Sequence, residues 1–360
     1  MSAPQEKKFL HAILSAGAEH DALQSLLYAF GSFEAAWRAP LANADINREL
    51  AERLESIREH LNPDEEMRRL VAEGIALITA DEPEFPIELH NISAAPIALY
   101  IKGRVSSDVP RLAVVGTRKA TPYGREATHK IIRDIASQTD IVVVSGLAQG
   151  IDAEAHRAAL AAGLLTVGVL GSGMSRASFF PPENWNLAEE IVAKGGAVIS
   201  EYPPSAPGLK HHFPARNRII AGLARGTLVV EAPERSGALI TARFALEQGR
   251  DVFAVPGQLF SPNAAGAHRL IQDGAKLVTK ADDIIDELGL SRRTKAEQAD
   301  IFLTDDAERI ILSLLSEPAS VDDLKEKTNL ATPDIITRLS LLELKGFVRP
   351  IGQARFQRIS

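Results

Sequence analysis

Between residues 110 and 256 the sequence alternates short apolar runs with helical patterns, and this alternation constrains the fold more than any other feature. The apolar runs are Leu112–Val115, Ile141–Val144, Val167–Leu170, Ala197–Ser200, Thr227–Val230 and Val252–Val255. The helical patterns are Gly124–Ser137, Gly150–Ala162, Asn184–Lys194, Arg216–Leu223 and Ala238–Gln248. Strands that are apolar throughout are buried on both faces, as in parallel sheets covered by helices. The alternation therefore predicts an α/β fold with a doubly wound, mostly parallel sheet.

The first 79 residues have a helical pattern instead. Phe9, Leu10, Ile13 and Leu14 form one apolar face. Gly31 followed by Ser32 marks the end of one helix and the start of the next. We therefore expect an all-α module over residues 1–79, similar to a sterile-alpha-motif or helix–hairpin–helix domain. Its eight basic and thirteen acidic residues favour packing or protein contact over DNA contact.

The sequence after Leu288 is polar and aperiodic, which predicts a linker over residues 289–304. It would join an α/β domain of residues 80–288 to a C-terminal domain of residues 305–360. The C-terminal segment has three helical patterns and then two β patterns around a Gly, the order found in a winged helix. Its predicted recognition helix is neutral and only residues 344–360 are basic, so a protein contact, a weak DNA contact and readout of a DNA sequence all stay open.

Composition excludes several classes of protein. The 360 residues include no Cys, so disulfides, thiolate metal sites and a thiol nucleophile are absent. No apolar run reaches about 18 residues, and the N-terminus lacks a signal-peptide pattern, so we expect a cytoplasmic protein with no membrane insertion. The net charge is −7. Any nucleic-acid binding must therefore use a localised basic patch.

The segment from Lys210 to Arg250 is such a patch, with seven Lys or Arg against three Glu. Within it, Arg216, Asn217 and Arg218 stand at the start of a helical pattern. The first turn of a helix normally favours acidic residues. Two arginines there indicate either an anionic ligand or buried carboxylates, with Glu201 and Glu231 as the nearby candidates. The clustering of small and polar residues at the strand ends favours the ligand.

Small residues follow nearly every predicted strand. In open α/β sheets ligands bind at the carboxyl ends of the strands, and each following helix offers backbone N–H groups to an anion. A single Gly there usually marks a turn, but several together predict a phosphate-lined crevice. The predicted site residues at these ends are Gly116, Arg118, Ser145, Gly146, Gly171 and Gly173.

The sequence indicates no catalytic residue, cofactor or metal. The GxGxxG, GxxxxGK[ST] and GxSxG motifs are all missing, which disfavours dinucleotide binding, an NTP-driven motor and a nucleophile elbow. Asp152 and His156 lie one helical turn apart and would suit a metal or an acid–base pair. Two residues make a poor metal site, however, so a helix-stabilising Asp–His pair is the favoured interpretation.

Eight blocks of sequence stand in order across about residues 110–280. They are GTRKATPYGRE, VVSGLAQGIDAEAHRAAL, VGVLGSG, ISEYPP, FPARNRIIAGLARGTLVVEA, SGALITARFALEQGR, VFAVPG and GAHRLIQDGA. Together these blocks resemble the DNA-processing protein A family, DprA or Smf. The flanking helical and winged-helix segments fit the same family. The resemblance implies a Rossmann-like central domain that binds single-stranded DNA without strong sequence preference, and no enzymatic activity.

The resemblance also implies partners. Members of the family form homodimers, displace or accommodate single-strand-binding protein, and load the RecA recombinase during natural transformation. The self-association surface, with RecA contact close to it, would include His268, Ile271, Gln272 and Leu277. The DNA-binding pocket of the family would include the strand-end residues above together with Arg216, Asn217 and Arg218. It would also include Ser236 and Gly237, in the turn before the last helical pattern.

The chain departs from the family pattern after Gly173, where Phe180-Pro181 replaces the usual Tyr-Pro and Arg176 is the candidate for the family's basic residue. Phe179, Phe180 and Phe213 are candidates for base stacking, with at least one expected in the core. A rival interpretation is a nucleotide-hydrolysing enzyme of the same superfamily, similar to the phosphoribohydrolases. Their PGGxGTxxE signature is replaced by SGALITARFALE, which disfavours hydrolysis. A sensor of small nucleotides would use the same pocket.

Overall fold

A computed structural model describes residues 4–41, 44–106, 108–293, 306–344, 347–352 and 354–359. It divides into two compact units, one of Met1–Ala136 with Asp140–Leu290 and one of Ser137–Thr139 with Ser291–Ser360. Of the predicted linker 289–304, residues 294–304 lie outside the described residues. The proposed domain boundaries otherwise stay predictions.

The first unit begins with five helices, as the N-terminal pattern predicted. They are α1 (Pro4–Ser15), α2 (His20–Phe30), α3 (Phe33–Arg38), α4 (Arg48–His60) and α5 (Pro63–Ala72). Side-chain caps define several starts; Ser32, for example, accepts a hydrogen bond from the Ala35 N–H. The apolar faces of these helices share one hydrophobic cluster with Leu77 and Tyr100 of the sheet. The helices therefore pack on the sheet.

A nine-stranded sheet forms the centre of this unit. Its strands are β1 (Ile75–Thr79), β2 (Ala98–Gly103), β3 (Arg111–Val115), β4 (Val142–Ser145), β5 (Thr166–Leu170), β6 (Ala197–Ser200), β7 (Gly226–Val229), β8 (Asp251–Ala254) and β9 (Lys276–Leu277). The order across the sheet is β1-β2-β6-β5-β4-β3-β7-β8-β9. β1 and β2 pair antiparallel, β2 pairs antiparallel with β6, and the other neighbours are parallel.

Helices cover both faces of the sheet. They are α6 (Pro122–Ala136), α7 (Ile151–Ala161), α8 (Trp185–Ala193), α9 (His212–Leu223), α10 (Gly237–Glu247), α11 (Ala265–Gln272) and α12 (Asp282–Glu287). The strands β3 to β7 are buried along their whole length, which explains their continuous apolar sequences. The predicted α/β fold with a doubly wound, mostly parallel sheet is confirmed.

The order of the strands places a topological switch point next to β3. From β3 the chain adds β4 and β5 on one side, and it later returns to add β7 and β8 on the other side. The loops that leave the carboxyl ends of β3 and β7 therefore diverge and open a crevice, which is the usual ligand site of such sheets.

The described residues of the second unit form three helices and a small sheet. The elements are α13 (Asp306–Leu314), β10 (Ala319–Ser320), α14 (Val321–Thr328), α15 (Thr332–Leu344), β11 (Val348–Gly352) and β12 (Arg355–Arg358). The strand order is β10-β12-β11, and a capping box between Ser320 and Asp323 starts α14. This arrangement confirms the predicted winged helix. In the described parts of the chain, no helix has both the length and the apolar character needed to cross a membrane.

Candidate functional site

A pocket of about 600 Å³ lies at the switch point. We call it the switch-point pocket. Six of the predicted site residues line it: Gly116 and Arg118 after β3, Arg216 and Asn217 on α9, and Ser236 and Gly237 at the start of α10. Ser236 caps α10 by accepting a hydrogen bond from the Ala238 N–H. The positive end of the α10 dipole therefore faces the pocket.

The charged side chains of the pocket are mostly cationic. Arg118, Lys210 and Arg235 are exposed, and none of them has an ion pair with a described carboxylate. Lys210 and Arg235 were counted in the basic segment but were not predicted as site residues. No motif marks them; their only signal in the sequence is that they precede α9 and α10 within that segment. Asp152 is the one carboxylate among the described residues that line the pocket.

Arg216 and Asp152 are buried together in this site. Nη1 of Arg216 donates to the backbone oxygens of Gly146, at 2.9 Å, and Val169. Oδ2 of Asp152 accepts from the Gly146 N–H at 3.1 Å. Burial lowers the pKa of Arg216 to about 10 and raises the pKa of Asp152, and each group opposes the shift of the other. Arg216 therefore stays charged at neutral pH.

Arg218 faces away from this site, although it was predicted beside Arg216. Its Nη2 donates to both carboxylate oxygens of Glu201, at 2.7 and 2.8 Å, and its Nε donates to the Ala94 oxygen. Arg218 lines a different pocket, between the N-terminal helices and the sheet. Of the two explanations that the sequence left open, a carboxylate accounts for Arg218, although Glu201 is only partly buried.

Glu231, the other candidate carboxylate, holds the loop that carries Arg118. Its side chain accepts hydrogen bonds from the backbone N–H and the hydroxyl of Thr121, at 2.9 and 2.6 Å. Its backbone oxygen accepts from the Thr117 N–H at 2.7 Å. A Cβ at Gly124 would lie 2.2 Å from the Glu231 carboxylate, so only glycine fits there. These contacts fix the path of the β3–α6 loop.

Besides Arg218, five predicted residues do not line the switch-point pocket: Ser145, Gly146, Gly171, Gly173 and Arg176. Ser145 is fully buried and donates to the Val114 oxygen at 2.6 Å. Gly171 and Gly173 allow close packing, against the Phe213 ring and the Pro204 oxygen respectively. The Arg176 guanidinium lies 5.0 Å from the centre of the Trp185 ring.

Gly146 contributes to an adjoining pocket of about 220 Å³, which shares Arg118 and Arg216 with the switch-point pocket.

Two of the three candidate stacking residues line both pockets. Phe180 is 43% exposed, and its ring lies 5.5 Å from that of Phe213. Phe179 is buried and contacts Trp185 edge to face, which is the core position expected of at least one of the three. The structure therefore offers two adjacent aromatic faces beside the cations.

Asp152 and His156 take different partners. The Nδ1 of His156 lies 2.7 Å from the Thr166 hydroxyl, which itself donates to the Val143 oxygen, so the ring donates to Thr166. Burial lowers the pKa of His156 to about 3 and keeps the ring neutral. The two side chains do not pair with each other, so the predicted helix-stabilising Asp–His pair is wrong.

Comparison with known proteins identifies the family. A model of the DNA recombination-mediator protein A family matches residues 76–289, and a model of the DprA winged helix domain matches residues 294–352. The chain belongs to the DNA recombination-mediator protein A family. Protein Smf of Escherichia coli is 38% identical over 293 residues, which are 78% of each chain. Protein Smf of Synechocystis is 32% identical and covers 93% of this chain and 94% of its own length.

Two solved DprA structures share the fold. DprA from Streptococcus pneumoniae is 33% identical, with a TM-score of 0.62 over 78% of this chain and 97% of that chain. DprA from Helicobacter pylori, described as having a unique single-stranded DNA binding mode, is 27% identical. Its TM-score is 0.52, over 59% of this chain and 95% of that chain.

The surface predicted from the DprA resemblance for self-association lies at the far edge of the sheet. His268, Ile271 and Gln272 are on α11, and Leu277 is on the edge strand β9. Leu277 is 43% exposed, and Gln272 is also exposed. The backbone of Gly257 holds the His268 ring. An exposed edge strand can pair with another chain.

Proposed function

We propose that this DprA-family protein binds single-stranded DNA, without strong sequence specificity, through the switch-point pocket. The observation that carries the proposal is the charge of the pocket. Arg118, Lys210 and Arg235 surround it without carboxylate partners among the described residues, while the single lining carboxylate, Asp152, is buried beside Arg216. The DprA of Helicobacter pylori, whose structure concerns single-stranded DNA binding, supports the choice of ligand.

The pocket suits a backbone-directed contact. Phosphates would lie on Arg118, Lys210 and Arg235 and at the N-terminus of α10, and bases would stack on Phe180 and Phe213. The Asn217 amide already donates to the Gly237 oxygen at 3.2 Å, so this side chain is occupied in holding α9 to α10. Cations and aromatic faces are tolerant of base identity, which favours binding without sequence readout.

Binding, rather than hydrolysis of nucleotides, is the activity that we propose. A general base must be free to accept a proton from its substrate. Asp152 instead accepts a backbone hydrogen bond and lies beside the charged Arg216. The pocket therefore holds an anion with its cations and offers no free carboxylate among its described lining residues.

The proposed partners follow from the family. The protein would act in the cytoplasm as a homodimer. It would bind single-stranded DNA that is coated with single-strand-binding protein and load RecA onto that DNA. His268, Ile271, Gln272 and Leu277 would form the dimer surface, with the RecA contact close by. Leu277→Arg should give a monomer by light scattering, whereas Val71→Arg, at an exposed apolar residue of α5, should keep the dimer.

The loading step can be tested with RecA filament assembly on single-stranded DNA coated with single-strand-binding protein. Wild-type protein should shorten the lag before RecA hydrolyses ATP, and the pocket variant Lys210→Ala/Arg235→Ala should not. An unchanged lag with the wild type would exclude RecA loading. If the wild type releases base or phosphate from free nucleotides and does not bind oligonucleotides, the result would instead support the rival interpretation, a nucleotide-hydrolysing enzyme.

A further inference from the structure

The second pocket of the first unit, of about 680 Å³, lies between the N-terminal helices and the sheet. Its lining includes the turn before α2 and the start of α9. Glu19, His211 and His212 come together there, with one ligand atom from each lying within 4.8 Å of the others. Glu19 precedes α2, and the two histidines begin α9, so residues nearly two hundred positions apart form the cluster.

The distances within the cluster suit a small metal ion. The Glu19 Oε1 lies 3.2 Å from the His211 Nε2 and 3.8 Å from the His212 Nε2. Zinc bonds of about 2.0–2.2 Å in a tetrahedral arrangement separate the ligand atoms by roughly 3.3–3.6 Å. The observed separations lie on either side of this value, so small side-chain rotations would complete the geometry.

The position of the His212 ring is not explained by a simple hydrogen bond. A bond from His211 to Glu19 would account for the 3.2 Å distance alone. His212 is only 5% exposed, and its Nε2 faces Glu19 from beyond hydrogen-bonding distance. The Tyr202 ring stacks on it at 3.8 Å and fixes its plane. A buried imidazole held in this way is oriented as a metal ligand is.

Glu19 is also directed towards the histidines. It occupies the N-cap position of α2, yet its side chain accepts no hydrogen bond from the helix. The nearby carboxylate of Glu201 is already paired with Arg218, which leaves Glu19 as the carboxylate for the cluster.

We propose that Glu19, His211 and His212 bind one Zn²⁺ ion, with a water molecule in the fourth position. Glu19 and His211 are both more than half exposed, so the fourth position is open to solvent. Two imidazoles and a carboxylate form a ligand set that zinc accepts. The ion clamps the N-terminal helices to the start of α9, where Lys210 and Phe213 flank the two histidines and line the switch-point pocket.

Titration calorimetry with ZnCl₂ on the full chain, after EDTA treatment and dialysis, tests the site. Wild type should bind one Zn²⁺ per chain and gain thermal stability, and Co²⁺ should give the visible absorption of a tetrahedral site. Glu19→Gln and His211→Gln should each weaken binding at least about tenfold, a loss typical even for partners of metal ligands. The matched control is His129→Gln, which removes an ordinary pair with Glu154 at 2.9 Å and should change nothing.

Absence of saturable Zn²⁺ binding by the wild type would overturn the proposal. So would a Zn²⁺ affinity of the two ligand variants equal to that of the wild type. Both variants alter exposed side chains, so they should fold even where a change at the buried His212 does not. The measurement contains no DNA and therefore succeeds or fails independently of the proposed function.

Discussion

The Arg118 guanidinium lies over the ring of Phe213, 5.6 Å from its centre. Gly171 makes this contact possible, because a Cβ there would come within 2.9 Å of the Phe213 ring. The structure thus places the cation proposed to bind phosphate against the ring proposed to stack on a base. Each half should contribute to DNA binding in a way that can be measured separately.

Arg118→Ala should reduce the salt dependence of oligo-dT binding, lowering the slope of log K against log[salt] by about 1, because one phosphate contact is lost. Phe213→Ala should leave the slope unchanged and weaken binding by about 1–3 kcal/mol for a stacked base. Fluorescence anisotropy at several salt concentrations measures both. Arg48→Ala, at a 91% exposed residue of α4, is the control and should behave as wild type. Identical effects of the two pocket variants on the slope would argue against this division.

Gly146→Ala should disturb the buried side chains of Asp152 and Arg216. The new Cβ would lie 2.6 Å from the Asp152 carboxylate and 2.7 Å from the Arg216 guanidinium. We expect a loss of about 1–3 kcal/mol in the free energy of unfolding and weaker oligonucleotide binding, because overpacking must displace the pair. Gly237→Ala, in the neighbouring switch-point pocket, has no atom within 4 Å of its Cβ, and it should keep wild-type stability in urea. Equal stability of Gly146→Ala and wild type would contradict this.

The pair between Arg218 and Glu201 should act on stability and not on DNA. Glu201→Ala leaves a buried guanidinium without its partner, so the free energy of unfolding should fall by about 3 kcal/mol. Replacing both residues by Met should recover part of the loss. Urea denaturation measures the change, and the salt slope of oligo-dT binding should stay at the wild-type value. A reduced salt slope of oligo-dT binding in the Met/Met variant would indicate that Arg218 contacts DNA.

Two buried histidines should make the protein sensitive to acid. Burial lowers the pKa of His156 to about 3 and that of His11 to about 4, from 6.5. The unfolded chain therefore binds these protons first, so stability is full above pH 6.5 and falls as the pH drops toward 4. The loss should be about 2 kcal/mol for each residue at pH 5.

His156→Gln removes one of these titrations and should flatten the change in urea midpoint between pH 7 and pH 5. His60→Gln, at an exposed residue, should keep the full pH dependence. An unchanged pH dependence in His156→Gln would show that the ring is protonated in the folded protein.

Much of the fold could be predicted because buried parallel strands have a strong local signal. All six predicted strand runs lie within one residue of the observed strands, as with Ala197–Ser200, and the helical windows also correspond. The order of the strands has no comparable signal, since it depends on which crossover connects them. The switch point between β3 and β7 therefore became visible only in the structure.

In the candidate site, too, some features could be predicted from local sequence and others could not. Gly116 and Arg118 were predicted because strand ends converge at one edge of a parallel sheet. Ser236 was predicted only from the family resemblance. The sequence could not tell which way two arginines on one helix point. Arg216 and Arg218 are two residues apart, about 200° around the helix, so they face different pockets. Glu19 reaches the start of α9 through tertiary packing alone, which no local pattern records.

The central claim is that a cationic switch-point pocket binds single-stranded DNA through its phosphates. The most direct measurement is the slope of log K against log[salt] for oligo-dT with wild type and Arg118→Ala/Lys210→Ala/Arg235→Ala. The account predicts binding by the wild type that weakens steeply with salt, and a slope reduced by about 3 in the triple variant, since three phosphate contacts are removed. Equal slopes for the two proteins, with unimpaired binding by the triple variant, would contradict it.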